Sequence, residues 1–334
     1  MHKIEGAEHI TFEDVGALKL KGLNAYGIEV TNLSYPFEEG EIDIIKTLIS
    51  EQLLVVLPKC NLSVDQFYNL CDQLGVISTY GQYRSRKLLD NTKFYSYLDK
   101  DDCPIYPGLV RVTGEKDSKG NFLGIAPGHS TLLNWHNDQA GRDAVKVKRN
   151  DKIKGIWSYE RPLPEVIALQ GVKGTKGSIT EICQLVDSFN AEDLSTKNWF
   201  KSIRLKWGYV DGEDKIYDSG VVHKEDKIER ILPIVTKAIN GKEGLHFSPS
   251  QTVAIDGKSE KEYNELKEYI MKNYVNPNYI YRHYWNDGDI IFTDQKTSIH
   301  RRVGTHKEKI PMQKLSKRLL HHVEIHIHNL NNAS

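Results

Sequence analysis

Apolar side chains recur at Ile42, Ile45 and Leu48 within residues 41–51, a spacing that lines up one stripe of a helix. The stretch leads into Leu53-Leu54-Val55-Val56-Leu57, an unbroken aliphatic run that reads as a buried strand. A second helix is predicted next. Ser63 is placed as its N-cap with Gln66 three residues on, Phe67, Leu70, Cys71 and Leu74 form its apolar stripe, and Gly75 stops it. The N-terminal part, about 38–80, is therefore a helix–strand–helix unit.

From about residue 105 the pattern changes to short β-branched and aliphatic runs bounded by Gly, Pro, Asn or Asp. Leu109-Val110-Arg111-Val112, Val166-Ile167-Ala168-Leu169, Leu232-Pro233-Ile234-Val235 and Asp289-Ile290-Ile291-Phe292 are examples. Many short strands with such punctuation favour a sandwich or jelly roll. Two stretches interrupt them with helical spacing. Residues 183–204 do so through Leu185, Val186, Phe189 and Leu194, and residues 258–274 through Tyr263, Leu266, Ile270 and Met271. They are expected either to cover a barrel mouth or to decorate the surface. No repeat, low-complexity tract or linker divides the chain, so the expectation is a single domain over 1–334, with its β core over about 105–330.

The last strand has its own pattern. From Arg318 to His328 the odd positions are mostly apolar, through Leu319, Val323, Ile325 and Ile327, and the even ones carry Arg318, His322, Glu324, His326 and His328. A period of two puts these polar groups on one face, which turns either to water or into a polar cavity.

Composition narrows the function. With 334 residues, 39% hydrophobic content and five Trp, the chain can bury a substantial core. Lys+Arg and Asp+Glu are both 45, so no net field favours nucleic acid or an anionic membrane, and a small diffusing substrate fits better. The aliphatic run at 53–57 is too short to span a bilayer, and the first residues lack a signal peptide's apolar core. Cys60, Cys71, Cys103 and Cys183 have no Cys-x-x-Cys spacing, which agrees with a reducing, cytoplasmic setting. Self-association as a homo-oligomer is compatible with all of this.

The candidate chemistry starts at Trp135-His136-Asn137-Asp138, an imidazole and a carboxylate two residues apart, which a downstream His300 can complete. Two neutral imidazoles and one carboxylate on one face of an octahedron suit Fe(II) and leave three positions for a chelating cosubstrate and O2. His-x-Asp is common by chance, so its context decides.

That context resembles the taurine dioxygenase-like family of Fe(II)/2-oxoglutarate-dependent oxygenases. The resemblance runs through the N-terminal unit, Asn134-Trp135-His136-Asn137-Asp138-Gln139, Gly177-Ser178-Ile179-Thr180 with Phe189 after it, Trp285-Asn286-Asp287-Gly288-Asp289 with Asp294 six residues before His300, and Arg318-Leu319-Leu320-His321. It implies a mainly β protein with flanking helices around a double-stranded β-helix (jelly roll) core. It implies Fe(II) on His136, Asp138 and His300, and 2-oxoglutarate chelating the iron with its distal carboxylate on Arg318 and Thr180. Oxidative decarboxylation to succinate and CO2 would then drive O2-dependent hydroxylation of a small polar metabolite, such as an amino acid or other carboxylate.

Two departures from the family pattern matter. About eighteen residues separate His300 from Arg318, which makes Arg302 a rival anchor, although it lacks the strand context. His322 stands where taurine-specific members carry a further Arg, which disfavours a sulfonate; His322 is expected to touch substrate or the iron-side carboxylate. His246 is a second substrate-pocket candidate. His306 is read as solvated, His326 and His328 as exposed strand positions, and Tyr80, Tyr83, Arg84 and Arg86 as a border of the pocket. Asp138 argues against halogenation, whereas desaturation, or a jelly-roll binding protein without turnover, stays as an alternative.

Overall fold

In the computed structural model, the described residues are 18–78, 97–100, 104–120, 123–124, 133–138, 145–146, 160–161, 165–207, 230–303 and 317–327. Tyr80, Tyr83, Arg84, Arg86, Cys103, Gln139, His306 and His328 lie outside them. In chain order come β1 (Lys19–Gly22), β2 (Ile28–Thr31), α1 (Glu39–Gln52), β3 (Leu54–Leu57), α2 (Val64–Leu74), β4 (Gly75–Ile77) and β5 (Val110–Thr113). Next are β6 (Leu133–His136), β7 (Val145–Lys146), β8 (Glu160–Arg161), β9 (Val166–Lys173), β10 (Ile179–Gln184), α3 (Asp187–Asn190), α4 (Leu194–Lys201) and β11 (Arg204–Trp207). The remainder is β12 (Arg230–Pro233), β13 (Val235–Lys237), β14 (Glu243–Leu245), β15 (Thr252–Ile255), α5 (Glu260–Asn273), β16 (Ile280–Tyr284), β17 (Ile290–Asp294), β18 (Ser298–Val303) and β19 (Leu319–Ile327).

The larger sheet has the order β1-β2-β3-β17-β9-β19-β4, with β5 also paired to β19, and the smaller one the order β16-β10-β18-β6. Alternation along the central strands explains how these pack. Val55 and Leu57 of β3, Val166 and Ala168 of β9, Ile290 and Phe292 of β17, and Val323, Ile325 and Ile327 of β19 face one way, into a core closed by α1 and α2. Their neighbours Leu54, Val56, Ile167, Leu169, Ile291 and Leu320 face the other way, toward Ile182 and Trp285 on the side of the smaller sheet. With both faces buried, these strands read as aliphatic runs rather than as alternations.

The N-terminal unit forms as its sequence predicts. Ser63 accepts from the Gln66 amide at 3.2 Å while the Gln66 side chain accepts from the Ser63 amide at 2.9 Å, a reciprocal cap. Gly75 ends α2 and starts β4, and any β-carbon there would collide with the His326 carbonyl oxygen of β19. A glycine is what lets the chain leave the helix and pair at once.

Three expectations need correction. Residues 183–204 are not one helix: Cys183 belongs to β10, α3 and α4 are separate short helices, and Arg204 opens β11. The apolar positions 185 and 186 mislead because they are buried in the transition out of the strand. Residues 232–235 are divided between β12 and β13, which lie in different sheets, with Pro233 at the break. Nor do the two helical excursions simply decorate the surface. Phe189, Phe200, Tyr263, Leu266, Ile270 and Tyr274 form a core with Trp135, Cys183 and Ile299 from the outer face of the smaller sheet.

A buried histidine and a half-buried one give the fold a pH signature. His321 Nδ1 and Nε2 lie 2.8 Å from Gln170 Oε1 and 2.9 Å from the Tyr97 hydroxyl, and His246 packs on Trp207 with ring centroids 4.4 Å apart. Burial, with the Arg111 charge beside His321 and the Lys296 charge beside His246, pushes each imidazole from 6.5 down to about 4. The unfolded chain therefore takes up protons that the folded chain refuses. Stability that is full above pH 6.5 should drain away as pH falls toward 4. We expect the urea midpoint to drop over that interval and His321→Gln to flatten the drop; an unchanged slope would contradict this assignment.

Candidate metal centre

The alternation that builds the core also aims the chemistry. In the smaller sheet, His136 of β6 and His300 of β18 are direct partners across the strand pair, and Thr180 of β10 lies opposite both Arg302 of β18 and His283 of β16. Trp135, Cys183 and Ile299 point to the outer core, so His136, Thr180, His300 and Arg302, an odd number of positions away along their strands, point between the sheets. The even positions of β19 point into the same space from the other side. The polar face of the last strand thus lines an interior rather than turning to water, and His322 and Glu324 are both withdrawn from solvent.

His136, Asp138 and His300 bring one donor atom each to within 4.8 Å of one another and could hold a metal ion. His136 Nε2 lies 3.6 Å from Asp138 Oδ1, and His300 Nε2 lies 3.5 Å from Asp138 Oδ2. The two rings are 4.2 Å apart at 55°. His136 Nδ1 lies 2.7 Å from the Asn134 carbonyl oxygen, to which it must donate. With that proton on Nδ1, a neutral ring would present an Nε2 lone pair toward the Asp138 carboxylate, the form in which it could ligate a cation. Two lone pairs facing each other repel unless a cation stands between them, and two bonds of ~2.1 Å each would span such a gap.

Electrostatics keep the donors in the states a metal needs. Burial, reinforced by His136 and His322, pushes His300 down to about 3, against the opposing pull of Asp138. Burial tends to raise the Asp138 carboxyl, but His300, His322 and His136 together hold it well below the usual carboxylate range. A neutral His300 imidazole and an ionised Asp138 carboxylate result.

The other sequence candidates fall into three places. Thr180 is buried, and its Oγ1 accepts from Trp285 Nε1 at 2.8 Å, which leaves the hydroxyl proton free for an acceptor in the interior. Arg318 is buried at the start of β19, where burial and the charge of Arg302 lower it to about 9; no carboxylate among the described residues pairs with it. Arg302 is pushed down to about 10 by burial. The two rival arginines thus share one buried neighbourhood. His322 joins the donors directly, with Nε2 3.1 Å from Asp138 Oδ2. His246 does not join them; it belongs to the Trp207 contact described above. His326, expected to be an exposed strand position, is half-buried, with Nδ1 3.2 Å from Glu165 Oε2.

Supporting residues were harder to foresee. Asn137, between two of the donors, reaches from its Nδ2 to the Gln295 carbonyl oxygen at 2.9 Å, tying the first histidine's strand to the loop before His300. Asp294 accepts from the Thr297 amide and hydroxyl at 2.6 and 2.8 Å and so caps that loop. His283 Nε2 lies 3.1 Å from Asp289 Oδ2, behind Trp285. The alternation of Tyr281, His283 and Trp285 is the signal that could have placed these three on the inner face.

Comparison with known proteins agrees with this geometry. The family profile described as "Taurine catabolism dioxygenase TauD, TfdA family" matches residues 157–321. A taurine dioxygenase from Burkholderia xenovorans has a similar structure, with a TM-score of 0.63 at 16% identity over 92% of this chain and 89% of that one. AAD-2 in complex with Mn(II) and N-oxalylglycine is also similar, with a TM-score of 0.65 at 14% identity over 94% of this chain and 98% of that one. No curated protein matches by sequence. The structural likenesses show a jelly-roll fold, and the family profile adds dioxygenase chemistry to it. Through residues 157–321 the chain belongs with the TauD/TfdA family of Fe(II)/2-oxoglutarate-dependent dioxygenases, oxidoreductases that use both Fe(II) and 2-oxoglutarate. Among the described residues no helix is long and apolar enough to cross a membrane.

Proposed function

We propose that His136, Asp138 and His300 hold the iron, that Thr180 and Arg318 hold the distal carboxylate of 2-oxoglutarate, and that the reaction hydroxylates a C–H bond of a small polar metabolite. The observation that carries the metal assignment is the convergence of His136, Asp138 and His300, one donor atom from each within 4.8 Å of the others. For the cosubstrate, the support is a buried guanidinium without a carboxylate partner among the described residues, on the same interior as a threonine hydroxyl with a proton to give. O2 is the oxidant; iron, when bound, would supply the redox chemistry that activates it, and 2-oxoglutarate two of the electrons that balance its reduction, while these side chains bind, orient and exclude water.

Groups of both signs, Arg302 and Glu324, approach the same interior, which suits an amino acid or another carboxylate-bearing zwitterion better than an apolar substrate. His322 is engaged by Asp138 and adds no second arginine for a sulfonate. The test is a succinate-release screen with Fe(II), 2-oxoglutarate and panels of amino acids, carboxylated metabolites and sulfonates. Succinate that rises with an amino acid, in a product one oxygen atom heavier, is the expected result. A product lighter by two hydrogens would instead establish desaturation, and no succinate with any member of the panels would exclude these substrate classes.

A further inference from the structure

Within the interior, one contact is not explained by ligation or by cosubstrate binding. His322 lies on β19 in the larger sheet, 184 residues from Asp138, yet its Nε2 is 3.1 Å from Asp138 Oδ2. A carboxylate oxygen can only accept, so Nε2 carries the proton and donates. Oδ2 thus has a protein donor and also lies 3.5 Å from His300 Nε2, whereas Oδ1 lies 3.6 Å from His136 Nε2.

We propose that His322 is a positioning residue that fixes the orientation of the Asp138 carboxylate between His136 and His300. Its N–H reaches Oδ2 from the opposite sheet, so the carboxylate is braced across the interior and would not have to be ordered when a metal binds. This inference rests on the assignment of His136, Asp138 and His300 as the metal donors.

The experiment compares wild type, His322→Leu and His322→Gln in the full-length protein, reading anaerobic Fe(II) affinity and the visible charge-transfer band that forms when 2-oxoglutarate is added. His322→Leu should weaken Fe(II) binding by roughly 10- to 100-fold, the usual effect of removing a partner that orients a metal ligand. It should also shift the band. Gln, whose amide N–H reaches about as far as Nε2, should regain most of both. Leu behaving as wild type in affinity and band would overturn the proposal, and so would Gln failing as badly as Leu, since packing rather than the hydrogen bond would then be responsible. Failure of wild type itself to bind Fe(II) would remove the donor assignment along with it and is distinguishable from either result.

Discussion

Replacing Asp138 with alanine should abolish both Fe(II) binding and succinate release. The substitution removes a donor atom and the only negative charge among the three groups, leaving neutral imidazoles to hold a dication. The loss should exceed the roughly 10- to 100-fold that follows from disturbing a supporting partner alone. Anaerobic Fe(II) titration of the full chain is the direct check, with His136→Ala and His300→Ala beside it. Undiminished affinity in both histidine variants would sink the assignment. The pH response has a definite sign as well. His300, held down to about 3, does not compete for protons at neutral pH, so iron affinity should not require alkaline conditions.

Arg318→Met should weaken 2-oxoglutarate binding by roughly 2–5 kcal/mol, the cost of truncating one partner of a buried charge pair, or about 30- to 5,000-fold in affinity. Iron binding should survive. Lysine at 318 should restore only part of the affinity, because a point charge does not reproduce the planar fork. The protein without cosubstrate should respond in the opposite sense. A buried guanidinium lacking a carboxylate partner among the described residues is costly to fold around, so the Met variant should unfold at higher denaturant concentration than wild type. Opposite movements of cosubstrate affinity and stability are hard to obtain from a merely structural arginine. If Arg302→Met causes the larger loss of affinity while Arg318→Met behaves as wild type, the anchor is Arg302.

The elements that could be read from the chain were those whose signals are local. The Ser63/Gln66 cap, the Gly75 stop and the apolar stripe of α2 all lie within twelve or so residues, and the structure has them in place. His136, Asp138 and His300 were singled out by the family resemblance, since His-x-Asp alone is common by chance, and the structure brings their donor atoms within 4.8 Å of one another. What failed to show was long-range. Whether the even face of β19 meets water or a cavity depends on the sheet that stands opposite, and no property of residues 318–328 encodes that. The same holds for His322, which period two could place on a face but not beside Asp138. The division of residues 183–204 was hidden because a buried strand end and a short helix show the same dense apolar positions.

The pairing of β6 with β18 has a consequence for how the protein is held together. Among the described strands β6 is an edge strand of four residues, and it brings the first donors next to the third. The neighbouring Asn137–Gln295 bond already closes a span of 158 residues, for which loop-closure entropy alone is ~4–5 kcal/mol. An ion seated on β6 and β18 therefore works as a removable clasp: it resists the peeling of the sheet's rim. In hydrogen exchange, iron should slow the backbone amides at 134–136 and 298–302 far more than those of β9 or β17, which the interior of the larger sheet protects with or without it.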